Sequence, residues 1–273
     1  VTSAALSRRD WSPFTRYRRS LWLLTTRDLK VRYSTSFLGY FWSILDPLVM
    51  AAIYWFVFTQ IFHRGVGHEP YLVFLLSGLL PWMWFTGAVS DCTRAFTRES
   101  KLIRSTTIPR TIWVTRLVLS KGIEFLASIP VLVVFAVLSL WTDDPAQLHP
   151  EALWSILAIV LQTILTVGIG LIVAPLVVFF RDLERAVKLA LRFVFYASPI
   201  IYGIRDLPTT PIDFHFWGAF NPLTGIFSLY RAAFFPQELD WFAVGIAAVI
   251  SLGLLAIGTA VFSRTIRTVL KEI

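Results

Sequence analysis

An all-α polytopic membrane protein of six transmembrane helices is what this sequence predicts, with an amphipathic interface helix before the first span and short outer helices between the fifth and sixth. Three observations predict it. Of 273 residues, 56% are hydrophobic and 15% charged, and the mean hydropathy of +0.67 lies far from that of a water-solvated domain. Apolar runs recur at the length of about 20 residues that a helix needs to cross a hydrocarbon layer roughly 30 Å thick. Lysine and arginine also cluster in alternate connecting segments, as the cytoplasmic flanks of membrane helices require.

Near the N-terminus, Arg8 and Arg9 stand side by side without a following apolar core, so residues 1–40 read as a mature cytoplasmic segment rather than a cleaved signal. Within it, Phe14, Tyr17, Leu21 and Leu24 recur at helical spacing while arginines occupy other faces. That pattern predicts an amphipathic helix lying in the membrane interface.

Spans are expected near 41–62, 71–91, 123–141, 153–178, 189–204 and 241–263. Asp46 precedes Pro47 about one turn inside the first, where it can cap or bond a freed backbone group or take part in gating. Pro130 and Pro175 should kink the third and fourth. The fifth is interrupted by Pro199 and flanked by Arg192 and Arg205, which predicts a broken or shortened helix. Residues 205–240 form the longest outer segment, and the stretch FHFWGAFNPLTGIFSLYRAAFF is too apolar for a solvated loop. It should re-enter the bilayer or lie on its outer leaflet as short helices. The chain reads as one transmembrane domain over 1–273, with a bundle at 41–263 and a cytoplasmic tail at 264–273.

Residues 1–40, 93–122, 181–192 and 264–273 hold 22 of the 25 lysines and arginines, and segments 63–70, 142–152 and 205–240 hold the other 3. Both termini are therefore expected in the cytoplasm, in a bacterial inner membrane. The formal charge of +8 follows from the same bias, because basic flanks meet anionic lipid headgroups, and it needs no nucleic acid.

Chemistry is notable for what the sequence lacks. No G-x-x-x-x-G-K-[ST] phosphate loop is present, nor H-E-x-x-H or G-x-S-x-G. Gly168 and Gly170 sit in an apolar run with no residue to finish a phosphate cradle, so they read as close-packing positions between helices. The four histidines show no metal-ligand spacing, and Cys92 is alone. Asp46, Asp91 and Glu124 lie near span ends rather than forming a midplane relay, which argues against a proton-coupled carrier.

Three segments together resemble one family, the membrane subunits of ABC exporters that move lipid-linked polysaccharides such as O antigens and teichoic acids. They are RDLKVRYSTSFLGYFWSILDPLV at 27–49, ESKLIRSTTIPRTIWV at 99–114, and FFRDLERAVKLALRFVFYASPIIYGI at 179–204 followed by NPLTGIFSLYRAAFF at 221–235. The resemblance implies a homodimer above two copies of a separate nucleotide-binding subunit, which would bind ATP and magnesium, with no cofactor in this chain. It also implies a coupling helix near Arg98–Thr107, where Leu102 and Ile103 would enter a groove on the ATPase subunit and Glu99, Lys101 and Arg104 would form a polar rim. The chain also resembles actinobacterial exporters of the cell-wall galactan, which implies a cargo on an undecaprenyl or decaprenyl type pyrophosphate.

A sliding polysaccharide suits aromatic platforms, since rings bury the apolar faces of sugars. Tyr54, Trp55 and Phe58 on the first span, Trp82 and Phe85 on the second, and Phe193 and Tyr196 on the fifth are the candidate path residues, with packing or lipid contact as their alternative role. Arg27, Lys30 and Arg32 are the candidates for the carrier's pyrophosphate, or simply hold positive charge inside. The outer segment at 205–240 would gate the exit. Two other classes stay open from residues alone: a membrane-embedded lipid-sugar transferase, for which Asp143–Asp144 is the one adjacent acidic pair, and a self-sufficient carrier.

Overall fold

Apolar helices dominate the computed structural model, which describes residues 13–34, 39–61, 68–142, 144–203 and 214–272. Helix α1 (Pro13–Tyr33) starts on a proline, whose missing N–H costs nothing in a first turn. Tyr17, Leu21, Leu24, Thr25 and Leu29 turn inward at helical spacing. Phe14 does not, being 73% exposed, so the expected apolar stripe begins one turn later.

Gly39 takes φ +50° in the turn before α2 (Trp42–Trp55), a conformation that side-chain-bearing residues adopt with strain. The helix carries Pro47 in its second turn and continues as a wider, π-type turn over Phe56–Ile61. Helix α3 (Tyr71–Cys92) is the most enclosed element, with most of its side chains buried. The connection after it holds the short α4 (Ser100–Ser105).

Helix α5 (Ile112–Leu138) extends by a 3-10 turn to Trp141, and α6 (Trp154–Phe179) follows a 3-10 turn that begins at Pro150. The third span expected at 123–141 lies inside this longer helix, which begins at Ile112. Arg116, Lys121 and Glu124 read as flanking charges in the sequence, but each is paired inside the fold and so is accommodated within the helix.

Helix α7 (Leu183–Ala197) is followed by α8 (Phe214–Ala219), α9 (Pro222–Arg231) and α10 (Trp241–Glu272). Residues 264–272, expected as a tail, are the helical continuation of α10. Among the described residues, four helical segments, Tyr71–Cys92, Ile112–Trp141, Pro150–Phe179 and Trp241–Glu272, are long and apolar enough to cross a membrane, and Ile44–Trp55 is a shorter apolar one. The fifth expected span is built differently. Helix α7 starts before residue 189 and stops at Ala197, because Pro199 lacks an N–H and its ring disfavours helical backbone at Ser198.

Glycines allow close helix contacts. A Cβ on Gly258 would lie 2.4 Å from the Gly168 carbonyl oxygen, and one on Gly168 would lie 2.7 Å from the Leu255 nitrogen, so α6 and α10 touch backbone to backbone. Gly170 similarly admits Cys92 and Val114. Across the bundle, Gln162 Nε2 donates to the Pro81 carbonyl at 2.8 Å, a polar link between α6 and α3.

Candidate functional site

At one end of the fold, charges that the sequence scatters over 90 residues come together. Arg116, 2% exposed, donates to Asp28 at 2.7 Å and lies 3.3 Å from Glu99, with its guanidinium 4.7 Å from the Trp113 ring centre. Burial pushes the Asp28 carboxyl above its ordinary pKa, against the opposing pull of Arg116. Arg27 reaches the same Glu99 at 3.3 Å. One turn deeper, Arg32 bridges Asp91 at 2.6 Å and Glu124 at 3.0 Å, and Lys121 also donates to Glu124 at 2.7 Å. These bonds fasten α1 to α3, to the entrance of α4 and to α5.

The sequence candidates take definite places here. Arg27 and Arg32 pair with carboxylates while lining a cavity of about 690 Å³, and Lys30 is exposed with no ion pair among the described residues. Ile103 is fully buried in this chain's own core, and Glu99 is partly buried with bonds to Arg27 and Arg116. The apolar character of Ile103 was legible, but which side of a six-residue helix faces inward depends on how α4 is docked. Leu102 is half-buried, and Lys101 and Arg104 are exposed.

The aromatic candidates divide in a similar way. Trp82 and Phe85 are buried, 7% and 4% exposed, with ring centres 5.8 Å apart. Phe195, missed in the sequence, is their hub: it lies 5.4 Å from Trp82, stacks on Tyr54 at 5.9 Å and meets Tyr196 edge-on at 5.1 Å. Phe193 and Tyr196, 74% and 71% exposed, share the open face of α7, and Trp55 is 39% exposed. Phe58 falls in the π-type turn, with its side chain outside the described residues.

On the other side of the fold, α9 is enclosed along its length, and its two ends hold the broken stretch after α7. Asn221 accepts from the Leu223 amide as the N-cap of α9 while its own Nδ2 donates to Ser198 Oγ at 2.7 Å. Arg231 donates to the Ile200 and Tyr202 carbonyls at 2.8 and 3.3 Å, over the Phe74 ring. Non-helical backbone at membrane depth needs such partners.

This arrangement coincides with a known pattern. The family model for ABC-2 type transporters matches residues 19–235, from α1 through the end of α9. The chain belongs to the ABC-2 type transporter family.

As such a permease it is a non-catalytic membrane subunit, and ATP hydrolysis resides in a separate nucleotide-binding subunit. It is 34% identical over 243 residues to the O-antigen export system permease protein RfbA of Klebsiella pneumoniae, covering 89% of this chain and 90% of that protein. The protein of the same name from Myxococcus xanthus is 28% identical, with 82% and 83% covered. The polysialic acid transport protein KpsM of Escherichia coli is 25% identical, with 88% and 90% covered. The matched region includes every ion pair and aromatic contact described above.

Proposed function

We propose that the permease exports a lipid-linked polysaccharide across the bacterial inner membrane, as a homodimer coupled to two ATPase subunits, with both termini in the cytoplasm. The finer reading is a cell-wall galactan on a polyprenyl pyrophosphate carrier. The observation that carries the export reading is the open aromatic face of α7. Phe193 and Tyr196 stand out from a helix that is too short and too charged to be a lipid-facing span, beside the Tyr54 and Phe195 stack. A path for hydroxyl-rich cargo needs ring faces without strong anchors, and buried Trp82 and Phe85 stiffen that face from behind.

In the same reading α8 and α9 gate the outer exit, and Leu102 with Lys101 and Arg104 contacts the ATPase subunit. Lys30 is the carrier-phosphate contact that the ion pairing leaves open. The relatives whose names specify O-antigen export support the substrate class. Depletion of the permease in its host tests it: lipid-linked polysaccharide should accumulate on the cytoplasmic face, and its sugar composition decides galactan. Unchanged distribution of every lipid-linked glycan would overturn the reading.

A further inference from the structure

A cavity of about 320 Å³ opens between α1, α2, α3 and α5 in the cytoplasmic half of the fold. Its rim carries Arg32, Asp46, Lys121 and Glu124 beside Trp42, and its floor is apolar, formed by residues such as Leu80 and Phe125. Within that rim the groups are not equivalent. Arg32 bonds to Asp91 and Glu124, and Lys121 bonds to Glu124. Asp46 is exposed and has no hydrogen bond or ion pair to any described residue, and Trp42 is 43% exposed.

We propose that this cavity binds the neutral sugar head of a glycolipid, with Asp46 accepting hydrogen bonds from ring hydroxyls and Trp42 covering a sugar face. The chemistry selects among ligand classes. An anion would meet an unpaired carboxylate while both cations are already engaged, and a cation would meet Arg32 and Lys121 at the same rim. A neutral polyol avoids both repulsions. It supplies the hydroxyl donors that a carboxylate takes as short, charge-assisted bonds, and its C–H face suits a half-exposed indole. The apolar floor then takes the first methylenes of the attached tail. Asp46 lies one turn inside α2, so the sugar would sit just below the headgroup level on the cytoplasmic side.

The sugar site does not rest on the export reading, so the test measures binding without transport. The full chain in nanodiscs is exposed to dodecyl maltoside carrying a diazirine in its chain, and to dodecylphosphocholine carrying the same group, and adducts are mapped by mass spectrometry. The maltoside should label peptides from α2, α3 and α5 that line the cavity, several-fold above the phosphocholine. Asp46→Asn, which keeps an acceptor oxygen in the same shape but not the charge, should lose only part of that labelling, whereas Asp46→Ala should lose about tenfold, the equivalent of one charge-assisted hydrogen bond. Unchanged thermal melting of both variants shows that the fold is intact. Equal labelling by the two heads overturns the proposal, and so does an Asn variant as impaired as the Ala variant, since that means a cation or proton site. If the maltoside result holds while glycan distribution in the depleted host is normal, the export reading fails and the sugar site stands.

Discussion

Arg231 Nη2 donates to the Ile200 carbonyl oxygen at 2.8 Å, while the same guanidinium lies 3.8 Å from the centre of the Phe74 ring. A charge only 1% exposed is thereby used to satisfy backbone groups that the Pro199 break leaves without helical partners. Gly78 makes room for it, since a Cβ there would lie 3.2 Å from Arg231 Nη2 and 3.3 Å from the Ile200 carbonyl oxygen.

Removing that guanidinium should therefore loosen the junction between α7 and α9. Arg231→Met keeps much of the side-chain volume but leaves two carbonyls unsatisfied, at about 1–3 kcal/mol each. A lower melting temperature of the purified permease, together with faster proteolysis at 198–203, is the expected result. Melting unchanged from the parent protein would show that the bonds contribute nothing.

Gly225 offers a sharper comparison. A Cβ there would fall 2.3 Å from the Ala243 carbonyl oxygen, whereas one on Gly245 meets nothing within 4 Å. Gly225→Ala should cost about 1–3 kcal/mol as α9 is pushed from α10. Gly245→Ala should be neutral or stabilise α10 by about 1 kcal/mol. Thermal melts of the two variants side by side check the difference in sign.

The ion pairs around Arg116 predict a third outcome. Arg116 is buried between Asp28 and Glu99, so Arg116→Ala strands two partly buried carboxylates and should destabilise by about 3–5 kcal/mol. Asp28→Asn should do less, because burial already raises the Asp28 pKa and so favours a neutral group there. Chemical unfolding of both variants ranks them, and a milder effect from Arg116→Ala would contradict the network.

Partner contact separates two adjacent residues. Ile103→Asp places a carboxylate in the core and should prevent stable insertion, since burying an unpaired charge is among the costliest single changes. Leu102→Asp should leave the permease folded and abolish transport-linked ATP turnover in its complex. Full turnover with aspartate at 102 would place the contact elsewhere.

Acid dependence follows from Glu184. The bond from Arg94, and then that from Lys188, hold its carboxyl at about 2 instead of the ordinary 4.5. A depressed folded-state pKa gives stability that is complete above 4.5 and lost as pH falls toward 2. The effect is small, because Glu184 lies at the surface. Glu184→Gln should flatten the pH dependence of melting in that window.

Sequence alone determined the membrane character, the long apolar helices, the cytoplasmic location expected for the basic segments and the absence of an ATP-hydrolysing motif. Each depends on composition and periodicity along one helix, and bilayer thickness converts these directly into spans. It also marked Pro199 as a break and Gly168 as a contact, because a missing N–H and a missing Cβ act locally. Only the tertiary structure decided which side of a helix turns inward and which distant charges meet. Ile103 and Leu102 are indistinguishable by hydropathy, yet one is sealed in the core and the other borders the surface. Arg32 reads as a free cation until α3 and α5 bring Asp91 and Glu124 within bonding distance. Phe195 becomes the aromatic hub only because α7 places it against Trp82 and Tyr54. Such pairings depend on backbone approach across the bundle, set by glycines at helix crossings and by the broken backbone after α7, and no repeat along the chain encodes them.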